Sequence, residues 1–271
     1  GSGGFDATGT VVGEADATFS LVLGDVDSDG DPDLIVGNLG QNKLYLNNGS
    51  GVFDTGKLLG SESDFTRSLA LGDVDGDGDL DVIVGNGTTQ NKLYLNNGSG
   101  GFPTTGTRVG NETDDTRSVV LGDVDGDGDL DLIAGNDEGT NKLYLNNGSG
   151  VFATGTAVGN ETDRTRSIVL GDVDNDGDLD MIAGSFFETN KLYLNKDSGG
   201  FATTGTAVGS ESDRTSSIAL GDVDNDGDLD LIAGNFTETN KLYLNDGSGG
   251  FDATGTVVGE ADATFSLVLG D

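Results

Sequence analysis

Asp73-Val-Asp-Gly-Asp-Gly-Asp-Leu-Asp81 places an aspartate at every odd position of nine residues: Asp73, Asp75, Asp77, Asp79 and Asp81. The pattern returns as Asp25, Asp27, Asp29, Asp31 and Asp33, and again as Asp123, Asp125, Asp127, Asp129 and Asp131. Two further copies are Asp172, Asp174, Asp176, Asp178 and Asp180, then Asp222, Asp224, Asp226, Asp228 and Asp230. Position six is Gly in all five copies. Five carboxylates this close repel one another unless a cation sits among them, and calcium accepts six to eight oxygen ligands in flexible geometry. Asp at positions one, three and five, a Gly that permits a sharp turn and a backbone carbonyl at seven form the first half of a calcium loop. Position twelve, where an EF-hand supplies a bidentate Glu, is Val84, Ala134 or another apolar residue, so the ninth-position Asp has to close the site. Asp and Gly also form ordinary acidic turns. Five copies of one fixed ligand pattern favour metal, and the reading is one calcium ion per loop.

Working outward from the loops, their first aspartates lie 48 to 50 residues apart. A period of that size predicts propeller blades, each a four-stranded antiparallel sheet. In the third copy, Ser118–Val124 leads into the loop as a strand and Leu132–Ala134 leaves it as a short apolar run. Asn141–Asn147 alternates as a third strand, Gly148–Gly150 turns, and Val151–Val158 is the fourth. No segment has helical periodicity. The expected fold is all-β, a single propeller domain over residues 1–271, five-bladed with six blades as the alternative. The blades are expected at about 19–60, 67–110, 117–159, 166–209 and 216–258. A lone blade cannot cover its apolar faces, so blades must stack.

Composition narrows function. The formal net charge is −35, from 48 acidic and 13 basic residues, and five calcium ions would bring it to about −25. Such a field repels nucleic acid and anionic membranes, and no run approaches the length of a membrane span. Cys, His and Trp are absent, which removes thiol nucleophiles, disulfides, the usual zinc sites and any His-dependent triad. Loops of this class suit millimolar extracellular calcium, so the expected location is extracellular or cell-surface. The chain opens on Gly1 with no signal peptide, as a mature chain or a fragment would.

Leu121-Gly-Asp-Val-Asp-Gly-Asp-Gly-Asp-Leu-Asp-Leu-Ile-Ala-Gly-Asn136, followed by Tyr144-Leu-Asn-Asn-Gly-Ser-Gly-Val-Phe152, resembles the FG-GAP/VCBS repeat of bacterial surface proteins. The loop is also similar to the calcium-binding blades of integrin α-subunits. The resemblance implies a propeller with calcium in the hairpin between the first two strands of each blade. It carries side-chain ligation onto Asp123, Asp125, Asp127 and Asp131, with the Asp129 carbonyl as a further donor, and likewise onto the other loops. The Gly-Ala-Pro segment of integrin repeats is missing, which weakens any analogy to integrin ligand binding. Pro32 stands where the other loops have Leu80, Leu130, Leu179 and Leu229, and the expectation there is a shifted start of the second strand.

Residues that recur in every blade have structural readings. Tyr45, Tyr94, Tyr144, Tyr193 and Tyr243 share one third-strand position and are expected to pack between blades. Lys43, Lys92, Lys142, Lys191 and Lys241 are expected to lay their stems along the sheet beside acidic groups. The calcium loops and the Gly-Ser-Gly turns should share one face of the propeller. The other face then carries the variable turns, including Phe186, Phe187 and Phe236, and is where glycans or surface proteins would bind.

Residues 1–25 are identical to 247–271, a larger repeat with a period of 246. In this duplicated stretch Phe19 and Phe265 replace the Arg67, Arg117 or Arg166 of other units. Residues 4–12 could close the ring beside the fifth blade's third strand in place of 250–258, and the sequence leaves that choice open. The functional expectation is a calcium-stabilised extracellular structural or adhesive propeller, not an enzyme, that associates head to tail through its duplicated ends. A carbohydrate-binding lectin is the first alternative, and a glycan-active hydrolase using an acid pair is the remote one.

Overall fold

The computed structural model describes residues 11–13, 15–196 and 198–269, and within these it is built from strands alone. Short apolar bursts rich in Val, Ile and Leu, broken by Gly and Asp turns, leave no length for a helix. The first blade comprises β1 (Thr18–Gly24), β2 (Asp33–Tyr45) and the opening of β3 (Lys57–Gly72). The rest of β3 begins the second blade, followed by β4 (Asp81–Asn86), β5 (Asn91–Tyr94) and β6 (Thr107–Val109). The third holds β7 (Thr116–Gly122), β8 (Asp131–Asn136), β9 (Asn141–Tyr144) and β10 (Thr156–Val158). The fourth holds β11 (Thr165–Gly171), β12 (Asp180–Ser185), β13 (Asn190–Tyr193) and β14 (Thr206–Val208). The fifth holds β15 (Thr215–Gly221), β16 (Asp230–Tyr243) and β17 (Thr256–Ala263).

All pairings are antiparallel. β2 runs through its hairpin and supplies both middle strands, pairing through residues 33–38 with β1 and through 39–44 with β3. This is the all-β, five-bladed propeller that the repeat predicts. The second strand starts at Asp33, opposite Gly24, just as Asp81 lies opposite Gly72. The shifted start expected from Pro32 is therefore incorrect. Position eight precedes the ladder, so Pro's missing N–H costs no sheet hydrogen bond.

The apolar cores lie between blades. Val26, Ile35, Leu44 and Leu59 of the first blade pack with Leu69, Val82, Val84 and Tyr94 of the second, and three equivalent clusters follow. No such cluster joins the fifth blade to the first among the described residues. Leu21 and Leu23 are 61% and 63% exposed, whereas Leu69, the counterpart of Leu21, is 5% exposed. Val223 is 37% exposed, whereas its counterpart Val26 is 1%.

Residues 264–269 lie beyond the fifth blade, in the place an inner strand takes in the next one. The Leu267 N–H donates to Ser217 Oγ at 3.2 Å, repeating the 3.1 Å bond from Leu69 to Ser20. Residues 256–258 keep their place beside Asn240–Leu242, so they are not displaced by the amino-terminal segment. Residues 4–10 of that proposed closing strand lie outside the described residues.

Candidate metal centres

Each loop spans the gap from an inner strand to the buried second strand. The chain enters the left-handed region twice within it. Position six has φ of +93° to +100° at Gly30, Gly78, Gly128, Gly177 and Gly227. A Cβ at any of these would meet nothing within 4 Å, so the backbone angle and not crowding selects Gly. Position four also has positive φ, at Ser28, Gly76, Gly126, Asn175 and Asn225. The readable signal there was the restriction to Gly, Asn and Ser, of which the first two tolerate this conformation.

These turns aim backbone N–H groups at the carboxylates. Asp73 Oδ1 accepts from Gly76 and Asp77 N–H at 2.8 and 3.1 Å, and its Oδ2 accepts from Gly78 at 2.9 Å. Asp77 Oδ1 accepts from the Asp79 N–H at 3.0 Å. The ninth-position Asp33, Asp81, Asp131, Asp180 and Asp230 are buried. Asp81 bridges its loop to its own blade, accepting from Val74 N–H at 3.0 Å and Asn96 N–H at 2.8 Å. The third-position aspartates differ. Asp27, Asp75 and Asp174 each hold Oδ1 buried with no hydrogen-bond donor.

Each loop brings three carboxylate oxygens within 4.8 Å of one another. The sets are Asp25, Asp27 and Asp29; Asp73, Asp75 and Asp81; Asp123, Asp125 and Asp127; Asp172, Asp174 and Asp180; and Asp222, Asp224 and Asp230. Positions one and three belong to every set, with position five or nine as the third member. Calcium–oxygen bonds of about 2.3–2.6 Å let a single ion reach three oxygens so spaced. The seventh-position carboxylates of Asp31, Asp79, Asp129, Asp178 and Asp228 join none of these sets. Asp228 instead accepts from Asn175 Nδ2 of the preceding loop at 2.9 Å.

Burial, and then crowding by neighbouring acids, raises the pKa of Asp27, Asp75 and Asp174. Burial likewise pushes Asp81, Asp131 and Asp180 up to about 6, even though each carboxylate accepts two backbone hydrogen bonds. A donor set made only of oxygens, with orphaned buried oxygens inside it, fits a hard divalent cation.

The loops are also tied to the blade that follows. Asn96 Nδ2 donates to Val26 O at 2.8 Å, and Asn146, Asn195 and Asn245 make the same bond to Val74, Val124 and Val173. Sequence reading passed over these asparagines, although Asn follows Tyr-Leu in every unit. In four of the third turns a glycine (Gly49, Gly98, Gly148 and Gly247) lies against the seventh-position Asp of the loop, so turns and loops do share one face. At the opposite end, Tyr94 Oη donates to Glu62 of the preceding link at 2.9 Å, and Lys92 pairs with Glu62 and Asp64 at 3.2 and 2.8 Å. Tyr and Lys therefore have the packing and charge-offsetting roles expected of them.

A family model described as FG-GAP-like repeat matches residues 25–84, 73–134, 123–183, 172–233 and 222–271. No curated protein matches the sequence. Among solved structures, an Agrocybe aegerita lectin described as recognising non-reducing terminal N-acetylglucosamine has a TM-score of 0.59 at 23% identity, over 92% of this chain and 67% of that one. The BP39L lectin of Burkholderia pseudomallei has a TM-score of 0.71 at 8% identity, over 91% and 71%. The V. cholerae biofilm matrix protein Bap1 has a TM-score of 0.56 at 16% identity, over 90% of this chain and 41% of that one. At these identities the likeness shows the fold.

Proposed function

We propose that this chain, which belongs to the FG-GAP-like repeat family, is a calcium-stabilised extracellular propeller with a structural or adhesive role. The observation that carries this reading is the orphaned third-position oxygen of Asp27, Asp75 and Asp174, enclosed beside further carboxylates in repeated loops. A protein that depends on about five weak calcium ions belongs where calcium is millimolar. Calorimetric titration of metal-free protein tests the reading. It should give about five calcium equivalents, and stoichiometry below one would overturn it.

We read the chain as a non-enzyme, because its dense carboxylate clusters are repeated loops. Asp114 and Asp213, whose pKa is raised by burial, accept from the Asn136 and Asn235 side chains and are tied into the blades. Head-to-tail association rests on the ends. Residues 18–24 and 264–270 have one sequence, and 264–269 already occupy a next-blade position against the fifth blade. The β1 strand of a second copy, identical in sequence, would take that seat in exchange for 264–269 and would cover Leu21 and Leu23.

A lectin is the second reading, supported by the two lectins of similar fold and by the contact between Phe186 and Phe236, 6.4 Å between centroids. Binding on a glycan array that disappears in Phe236→Ala would favour it, whereas a blank array would count against it.

A further inference from the structure

In each inner strand the ladder slips between a Thr and a Ser: Thr18/Ser20, Thr66/Ser68, Thr116/Ser118, Thr165/Ser167 and Thr215/Ser217. A β-bulge of this kind inserts one residue and re-aims its side chain. The residues at the slips are Phe19, Arg67, Arg117, Arg166 and Ser216, and all five line one cavity of about 320 Å³ on the variable-turn face. Three of the chain's 13 basic residues thus converge on one opening in a protein of formal charge −35.

Two carboxylates answer the three cations. Arg117 pairs with Asp115 at 2.8 Å and Asp137 at 2.7 Å, and Arg166 pairs with Asp137 at 3.1 Å. The Arg67 guanidinium lies on aromatic rings instead, 3.5 Å from the Phe65 centroid and 5.3 Å from that of Phe19. One positive charge is left over. Nε of Arg67, Arg117 and Arg166 is in each case buried with no acceptor. Asp115 and Asp137 each keep a buried oxygen without a donor, which puts acceptors near the cations without removing the excess charge. Burial, followed by repulsion from Arg117, lowers the pKa of Arg67 and Arg166.

The remaining wall is aromatic. Phe236 stands 5.2 Å from Phe265 and 6.4 Å from Phe186, and Arg166 lies 5.1 Å from the Phe186 centroid. The acidic loops are at the far end of the inner strands, about 20 Å away at roughly 3.3 Å per residue. That exceeds two Debye lengths of about 8 Å at physiological salt, so the loops' field does not cancel the local charge.

We propose that this mouth binds a small carboxylate carried on a flat apolar ring. The guanidinium forks match a carboxylate in two-point geometry, and the phenylalanines offer edges and faces to the ring. The cavity lies at the small end of the usual range for ligand sites, which restricts the ligand to about one ring and its acid group.

Calorimetric titration of the calcium-saturated full chain with benzoate tests this, with benzyl alcohol as the neutral match. Because calcium is saturating throughout, the outcome speaks to the mouth and not to the metal loops. Benzoate should bind saturably at one site and benzyl alcohol should not. Arg67→Gln should weaken benzoate binding by about tenfold or more, the loss of one charge-assisted hydrogen bond. Ser216→Asp, which adds a carboxylate while keeping all three arginines, should weaken it at least as much in protein that still melts cooperatively, and it decides the matter if Arg67→Gln does not fold. Absent benzoate binding, equal affinity for benzyl alcohol, or unchanged affinity in Ser216→Asp would each overturn the proposal.

Discussion

Asp127 and Asp252 are both exposed aspartates, but only Asp127 sits among other carboxylates and accepts the Asp129 N–H at 3.0 Å. In calcium, Asp127→Ala should therefore cost about 2–3 kcal/mol, the linkage energy of one site at a hundredfold excess of ion, whereas Asp252→Ala should cost under about 0.5 kcal/mol. Denaturant titration measures both, and equal costs would reduce the loops to acidic turns. The pKa of Asp81, raised from 3.8 to about 6, sets the pH behaviour of metal-free protein. A carboxyl that holds its proton more tightly when folded contributes stability that is full below 3.8 and lost as pH rises through about 6. Asp131 and Asp180 behave alike. Glu62, Glu161 and Glu211 act in the opposite sense. Burial pushes them up, but hydrogen bonds outweigh it and leave their pKa below 4.5, so their contribution is lost at acid pH. Without metal, the melting temperature should rise as pH falls from 7.5 to about 5, then drop at lower pH. A monotonic fall across that range would contradict these assignments. At this scale the clustering of carboxylates was legible because five copies repeat it. The donor-free oxygens of Asp27, Asp75 and Asp174 were not, because orphaning depends on which N–H groups the turn directs elsewhere.

Leu21 and Leu69 hold the same place in two inner strands, and only packing distinguishes them. Leu69 is buried in the cluster between the first two blades, whereas Leu21 faces the uncovered side of the first. Leu69→Ala should cost about 2–5 kcal/mol and Leu21→Ala under about 1 kcal/mol in dilute calcium-loaded protein. Denaturant midpoints decide this, and equal costs would mean that the face carrying Leu21 is covered in solution. Blade order, hairpin positions and the buried second strand could all be read from alternation, apolar runs and Gly-Asp turns. Pro32 misled because position eight of the other loops serves the preceding blade: Leu80 lies against Gly24, and Leu130 against Gly72. Its role is packing and not strand start. The pairing of 256–258 with 240–242 could not be read either, since the competing segment at the other end has the same sequence.

For the whole molecule, identical ends and the exposed Leu21 and Leu23 on the first blade give the head-to-tail association proposed above its physical basis. Burying Leu21 and Leu23 would return about 1.5–3 kcal/mol per side chain. A heterologous contact that does not close generates an open array. Light scattering over a concentration series should show mass growing beyond one chain, with Leu21→Asp abolishing growth. A constant monomer mass at high concentration would argue against the array. The claim on which all three scales depend is that cations hold the acidic loops together. Differential scanning calorimetry of the protein in millimolar calcium, and again after thorough chelation at pH 7.5, tests it most directly. Five sites at about 2.7 kcal/mol each for a hundredfold excess of ion predict a loss of tens of degrees in melting temperature, restored by calcium. A melt that is unchanged by chelation would contradict it.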